Sequence, residues 1–200
     1  MNNYKTLSIC ADDFGISKGV NEAILSLIDN KILSEVSCLI FLLNENKEHF
    51  LKLYENNKLL SIGLHLFFSN SQKTEFKNLY NYKSIFNEIF FKSHLNLINK
   101  KLIEKSINSQ LDTFEKFFNF PPVFIDSHMY IHQFPMIANI LIKILKSRYQ
   151  SYPPWVRNSF INIKYKKDFK MKLISFYGAK LKKKLISNNI RTNNNFLGAY

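Results

Sequence analysis

The chain has 200 residues, 46% of them hydrophobic, and a formal net charge of +13. That length supports one substantial core and leaves little room for a second large domain, so residues 1–200 are read as a single domain. No segment reaches the roughly 18 apolar residues needed to cross a bilayer, and the start runs straight into Ala11-Asp12-Asp13, unlike a signal peptide. A cytoplasmic protein without a membrane span is the expectation.

The predicted elements alternate short apolar runs with longer amphipathic ones, the pattern of βα units around a parallel sheet. The first strand is expected at Thr6 to Cys10 and is followed by Ala11-Asp12-Asp13-Phe14-Gly15-Ile16-Ser17-Lys18-Gly19-Val20-Asn21. Two adjacent carboxylates there can divide labour, one holding a cation and one acting as general base. The competing reading is a turn in which Ser17 or Asp13 caps a helix over Lys18 to Asn30. A strand at Glu35 to Leu42 and a helix at Asn46 to Asn57 come next. The two cysteines, Cys10 and Cys38, lie in apolar runs and read as buried free thiols, not a disulfide framework.

The third strand, Leu60 to Leu66, carries His65 near its C-terminal end, and taken alone such a residue is more often a satisfied core histidine than a ligand. Residues 69–97 show no clean period and read as a long insertion loop able to cover a site. A helix over Lys100 to Phe118 leads to a strand at Val123 to Ser127 and the segment Asp126-Ser127-His128-Met129-Tyr130-Ile131-His132-Gln133-Phe134-Pro135. In extended backbone His128, Tyr130 and His132 would share one face. A helix at Met136 to Lys146, a strand at Tyr152 to Val156 and a basic helical segment within residues 164–191 complete the series.

Ten Lys and Arg against Asp168 alone lie between Lys164 and Arg191, so nine of the thirteen net charges sit there. A nucleic-acid binder is one reading, since clustered cations release counterions from phosphates. A solvated basic helix is preferred, because Tyr165, Phe169, Phe176 and Tyr177 fit its apolar face. No nucleic-acid partner is expected.

In parallel βα folds the C-terminal ends of the strands open onto one face, where active sites are built. Asp13, His65 and His128 therefore converge, and one carboxylate with two imidazoles leaves positions open for water and substrate. ADDFGISKGVN, IGLHL and DSHMYIHQFP together resemble the signature segments of the YdjC-like carbohydrate deacetylases, which include chitooligosaccharide and hopanoid-biosynthesis deacetylases. The resemblance runs from residue 7 to about 157, in the family's order and spacing. It implies a TIM-barrel-like α/β fold, a divalent metal usually described as magnesium, and removal of an N-acetyl group from a sugar. By position Asp13, His65 and His128 match the metal ligands and Asp12 the catalytic base. Zinc is the alternative cation, since an Asp-His-His set suits it on ligand softness.

The family's third motif has a histidine where this chain has Tyr130, and its late His-Pro-Gly segment has no counterpart here. An incomplete or distorted barrel lacking the last strands is therefore expected, with Phe196-Leu-Gly-Ala-Tyr200 resembling the stretch before the missing part. His132 is then the candidate general acid, with Tyr130 and Arg157 as candidate substrate-binding residues. The expected activity is metal-dependent N-deacetylation of a small carbohydrate, with a homodimer compatible with the sequence. A non-catalytic relative that keeps the metal and binds a glycan is the alternative.

Overall fold

The computed structural model describes residues 6–55, 60–68, 82–95, 97–150, 152–161 and 169–198. Five strands, β1 (Cys10–Phe14), β2 (Glu35–Cys38), β3 (Ser61–Leu66), β4 (Phe124–Ser127) and β5 (Trp155–Val156), form one sheet. Their order is β1-β2-β3-β4-β5 and every pairing is parallel. The helices are α1 (Lys18–Asp29), α2 (Lys47–Glu55), α3 (Tyr82–His94), α4 (Lys100–Phe118), α5 (Pro135–Tyr149) and α6 (Phe169–Ser187). Parallel strands adjacent in sequence, each reached by a helical crossover, make the wall of a (β/α) barrel. Among the described residues the wall does not close, since β1 and β5 pair on one side only.

Each helix forms where its apolar residues recur on one side. In α4, Ile107, Leu111, Phe114 and Phe118 are fully buried at spacings of three and four, the period of one helical face. Asn99 caps its start by accepting from the Lys101 and Leu102 amides, and Asn119 ends it in the left-handed conformation. Pro135 opens α5, where a missing N–H costs nothing. β3 and β4 are buried on both faces, and burying each large side chain contributes about 1.5–3 kcal/mol.

Several expectations shift. The first strand lies at Cys10–Phe14, not Thr6 to Cys10, so Asp12 and Asp13 are inside it. The second ends at Cys38, and Ile40–Leu42 coil into a short 3₁₀ turn because the chain bends once Leu39 has closed on Phe14. Within residues 69–97, expected as a loop, Tyr82–His94 are helical; residues 69–81 and 96 lie outside the described residues. Of the basic segment, 169–187 is helix and 162–168 lie outside the described residues. The asparagine-rich tract from residue 188 is docked beside β5. The Val156 amide donates to the Arg191 carbonyl (3.0 Å), and Asn158 Nδ2 donates to Thr192 Oγ1 (2.8 Å) and the Asn193 carbonyl (2.7 Å). Both cysteines are free, Cys38 buried and Cys10 half-buried. Among the described residues no helix is long and apolar enough to cross a membrane.

Candidate metal centre

The site begins with a bulge. Ala11 pairs with Val36 and Phe14 with Cys38, so β1 carries one extra residue against β2 at Asp12-Asp13. Asp13 takes up that residue in the left-handed region, at φ 62°, which bends the strand and re-aims its side chain. Behind the bulge the turn is braced from the side. Asn21, fully buried, accepts from the Gly15 amide (2.6 Å) and donates to Asn46 Oδ1 (2.9 Å), while Asn46 donates to the Gly15 carbonyl (2.8 Å). Gly15 itself sits at φ 105°, where a side chain would be strained. Ser17 caps α1 through the Val20 amide (3.3 Å), so Asp13 is released from that task.

Positive φ marks the site elsewhere. Among the described non-glycine residues, Lys31, Asn119, Gln150 and Asn189 have it just past helix ends, where such caps are ordinary. Asp13, Met129 and Tyr130 have it within the cluster. Left-handed Met and Tyr cost energy that the surrounding fold must supply. Their conformation also corrects the expectation of extended backbone after β4. His128–Gln133 wind into 3₁₀ turns broken at Met129 and Tyr130, so His128, Tyr130 and His132 point to different places.

Asp13, His65 and His128 do come together. Asp13 Oδ1 lies 2.8 Å from His128 Nδ1 and 3.2 Å from His65 Nε2. One ligand atom from each of the three falls within 4.8 Å of the other two. That spacing and donor set fit a single divalent cation with room for further ligands. Burial works to raise the Asp13 carboxyl, but hydrogen bonds from His128 and His65 outweigh it and hold it well below the usual carboxylate range. The outer groups stay half-open, with side-chain exposure of 31% for Asp13 and 19% for His128.

Beneath them lies a buried ionic layer. His65 pairs in register with Asp126 across β3 and β4, and its Nδ1 meets Asp126 Oδ1 at 2.7 Å. Ser37 of β2 donates to the same oxygen. Burial opposes the His65 imidazolium, yet Asp126 and Asp13 push its pKa up to about 10. Arg157, directly after β5, pairs with Asp126 Oδ2 through Nη2 and grips Asp12 with both terminal nitrogens, at 2.8 and 2.7 Å. The Phe196 ring lies 5.7 Å from the Arg157 guanidinium carbon, and Tyr130 packs edge-on against Phe196.

His132 has a different setting from the one its sequence position suggests. It is 1% exposed; its Nδ1 meets Ser127 Oγ at 2.7 Å and its Nε2 meets the Arg157 carbonyl at 2.8 Å. The Ser127 hydroxyl accepts from the His132 amide (2.9 Å), which leaves it to donate to Nδ1 while Nε2–H donates to the carbonyl. Burial lowers the imidazole to about 4, so it stays neutral. Tyr130 is half-buried, and burial raises its phenol to about 12.

Asp126 and Ser37 went unread as site residues in the sequence. A carboxylate two residues before His128 in an otherwise apolar strand was the available signal for Asp126. Ser37 offered none, since its role exists only through cross-strand register.

A family model described as YdjC-like protein matches residues 6–200. A search of curated proteins finds no match to the chain. A solved structure from Enterococcus faecalis V583, described as a candidate cellobiose-phosphate cleavage protein, superposes with a TM-score of 0.59 at 21% identity. The superposition covers 95% of this chain and 67% of that one, and it shows a common fold.

Proposed function

The chain belongs to the YdjC-like family, and from that premise we propose that it is a metal-dependent hydrolase removing an N-acetyl group from an acetylated amino sugar or oligosaccharide. The observation that carries the reading is the convergence of Asp13, His65 and His128 beside an Asp12 carboxylate held by two hydrogen bonds from Arg157. The fold it shares with a protein described in terms of cellobiose-phosphate cleavage supports a carbohydrate substrate.

Asp13, His65 and His128 would hold the cation, expected to be magnesium, with zinc as the alternative. Bound there, a divalent ion supplies Lewis acidity toward the acyl carbonyl and toward water. Asp12 takes the proton of the attacking water, its carboxylate held at one angle by the two hydrogen bonds from Arg157. The same carboxyl, now protonated, returns that proton to the departing nitrogen. His132 does not fill the acid's role, because both of its ring nitrogens are engaged inside the protein. It positions Arg157 through the backbone. The Tyr130 hydroxyl, which stays protonated at neutral pH, supplies a hydrogen bond to substrate.

Acetate release from N-acetylated chitooligosaccharides, assayed with magnesium, zinc or cobalt, tests the reading. Metal-dependent release is expected, and Asp12→Asn should lower turnover by about 10²–10⁴ while metal binding persists. Stoichiometric metal binding with no turnover on any acetylated sugar would point instead to a non-catalytic glycan-binding relative.

A further inference from the structure

Helix α6 is apolar on two sides. Tyr177, Leu181 and Leu185 are buried. The other aromatics of this segment were expected beside them, but Phe169 is 78% exposed and Phe176 49%; Tyr165 lies outside the described residues. Phe169, Lys172, Phe176, Lys180 and Lys183 are all exposed and follow one another at steps of three and four, the spacing of one helical face. Ile186, 59% exposed, sits on the shoulder of that stripe in the last turn. Turning the two phenylalanines inward would carry the three lysines in with them, and an unpaired buried ammonium costs more than a buried ring gains. The Lys180 ammonium lies 4.3 Å from the centre of the Phe176 ring, so lysine and aromatic form one surface.

The charge around the stripe is of one sign. Helices α5 and α6 together carry nine Lys and Arg and no Asp or Glu. Lys143 and Arg148 reach carboxylates on α4. Lys184, by contrast, is held below the usual lysine range by partial burial and by the Lys180 charge, so a counter-anion there would relieve repulsion.

We infer that the outer stripe of α6 docks on an anionic lipid surface. Phe169, Phe176 and Ile186 enter the boundary between acyl chains and headgroups, and Lys172, Lys180 and Lys183 extend their stems to the phosphates. A helix of this kind lies on a bilayer and does not span it. Each lysine contributes about fivefold in affinity, so attachment is reversible. A second copy of the chain fits less well, since it would set lysines against lysines. A nucleic acid would engage the lysines but offers phosphates, not an apolar layer, to Ile186 and the rings. The inference is independent of the hydrolase reading.

Flotation of the full chain with phosphatidylcholine vesicles, with and without phosphatidylglycerol and at equal salt, tests it. Wild type should float only with the anionic vesicles. Replacing Phe169, Phe176 and Ile186 together by Ser, which keeps every charge, should weaken partitioning by about tenfold or more. Phe176→Ser alone, with a smaller loss in the same direction, serves if circular dichroism shows that the triple variant fails to fold. Replacing Lys172, Lys180 and Lys183 together by Gln should weaken it by about 100-fold. Wild type that ignores anionic vesicles, or a folded serine variant that binds them as tightly as wild type, would overturn the inference. So would tighter binding to a single-stranded oligonucleotide than to the vesicles, or a lipid-free dimer that Phe176→Ser converts to monomer. Turnover of a soluble acetylated sugar should be unchanged in both variants, so these outcomes leave the hydrolase reading standing.

Discussion

The outer and inner halves of the polar cluster hold charge by opposite means. Outside, Asp13 and His128 are partly open to water, so their arrangement is kept by backbone: a bulge in β1 and two left-handed residues after β4. Inside, Asp126, Arg157 and His65 are sealed, and their arrangement is kept by mutual neutralisation and by donors from Ser37 and the neighbouring strands. An exposed ion pair contributes about 0–1 kcal/mol, because water competes for both partners. A buried pair that loses one member leaves a bare charge and costs about 3–5 kcal/mol. The outer half is therefore free to exchange ligands, and the inner half is obliged to hold still.

The contrast is broken most severely by matched substitutions in the two halves. Asp13→Asn should abolish measurable binding of manganese or zinc in calorimetry while shifting the thermal midpoint only slightly. Asp126→Asn should weaken metal binding about 10–100-fold, as loss of an orienting partner to a ligand does, and should also destabilise by about 3–5 kcal/mol. A melting curve that treats the two variants alike would erase the distinction.

His132 offers a smaller, pH-dependent probe of the inner half. Its folded pKa lies near 4 against an ordinary value of 6.5, so the folded state favours the neutral ring. The associated stability is complete above pH 6.5, declines as pH falls toward 4, and amounts to something on the order of 3 kcal/mol. Urea midpoints measured from pH 7 to 4 should fall less steeply in His132→Asn than in wild type. Parallel slopes would show that the ring does not titrate in this way.

Gly63 is the mildest probe. It lies one layer beneath His65 on β3, as Phe124 lies beneath Asp126 on β4, and a Cβ at Gly63 would meet the Phe124 ring at 2.4 Å. That ring is itself stacked on Trp155 at 4.9 Å and cannot swing freely. Gly63→Ala should cost about 1–3 kcal/mol of stability, and metal binding should weaken only as far as β3 and β4 are pushed apart. A variant of native stability would mean that Phe124 yields without strain.

Much of the architecture was legible in the chain alone. Among the described residues, alternating apolar runs and amphipathic stretches gave the five strands and five of the six helices in their order, and Lys100–Phe118 was read at its observed bounds. The helix at Tyr82–His94 was hidden because its apolar residues follow no clean stripe and its polar ones are no better arranged. The first strand was misplaced by four residues, since Asp12, Asp13, Gly15 and Ser17 are turn formers and together read as a turn. A bulge lets the strand run through them instead.

What the sequence by itself determined is the order of elements and the presence of Asp13, His65 and His128 at strand ends, because hydrophobic period and turn chemistry act over a few residues. The tertiary structure alone decided that Arg157 reaches back 145 positions to Asp12, that Asp126 backs His65, and that His132 turns inward. Those outcomes depend on parallel register and on burial. A charge in a sealed interior takes whichever partner the packing places beside it, and no local pattern encodes that choice.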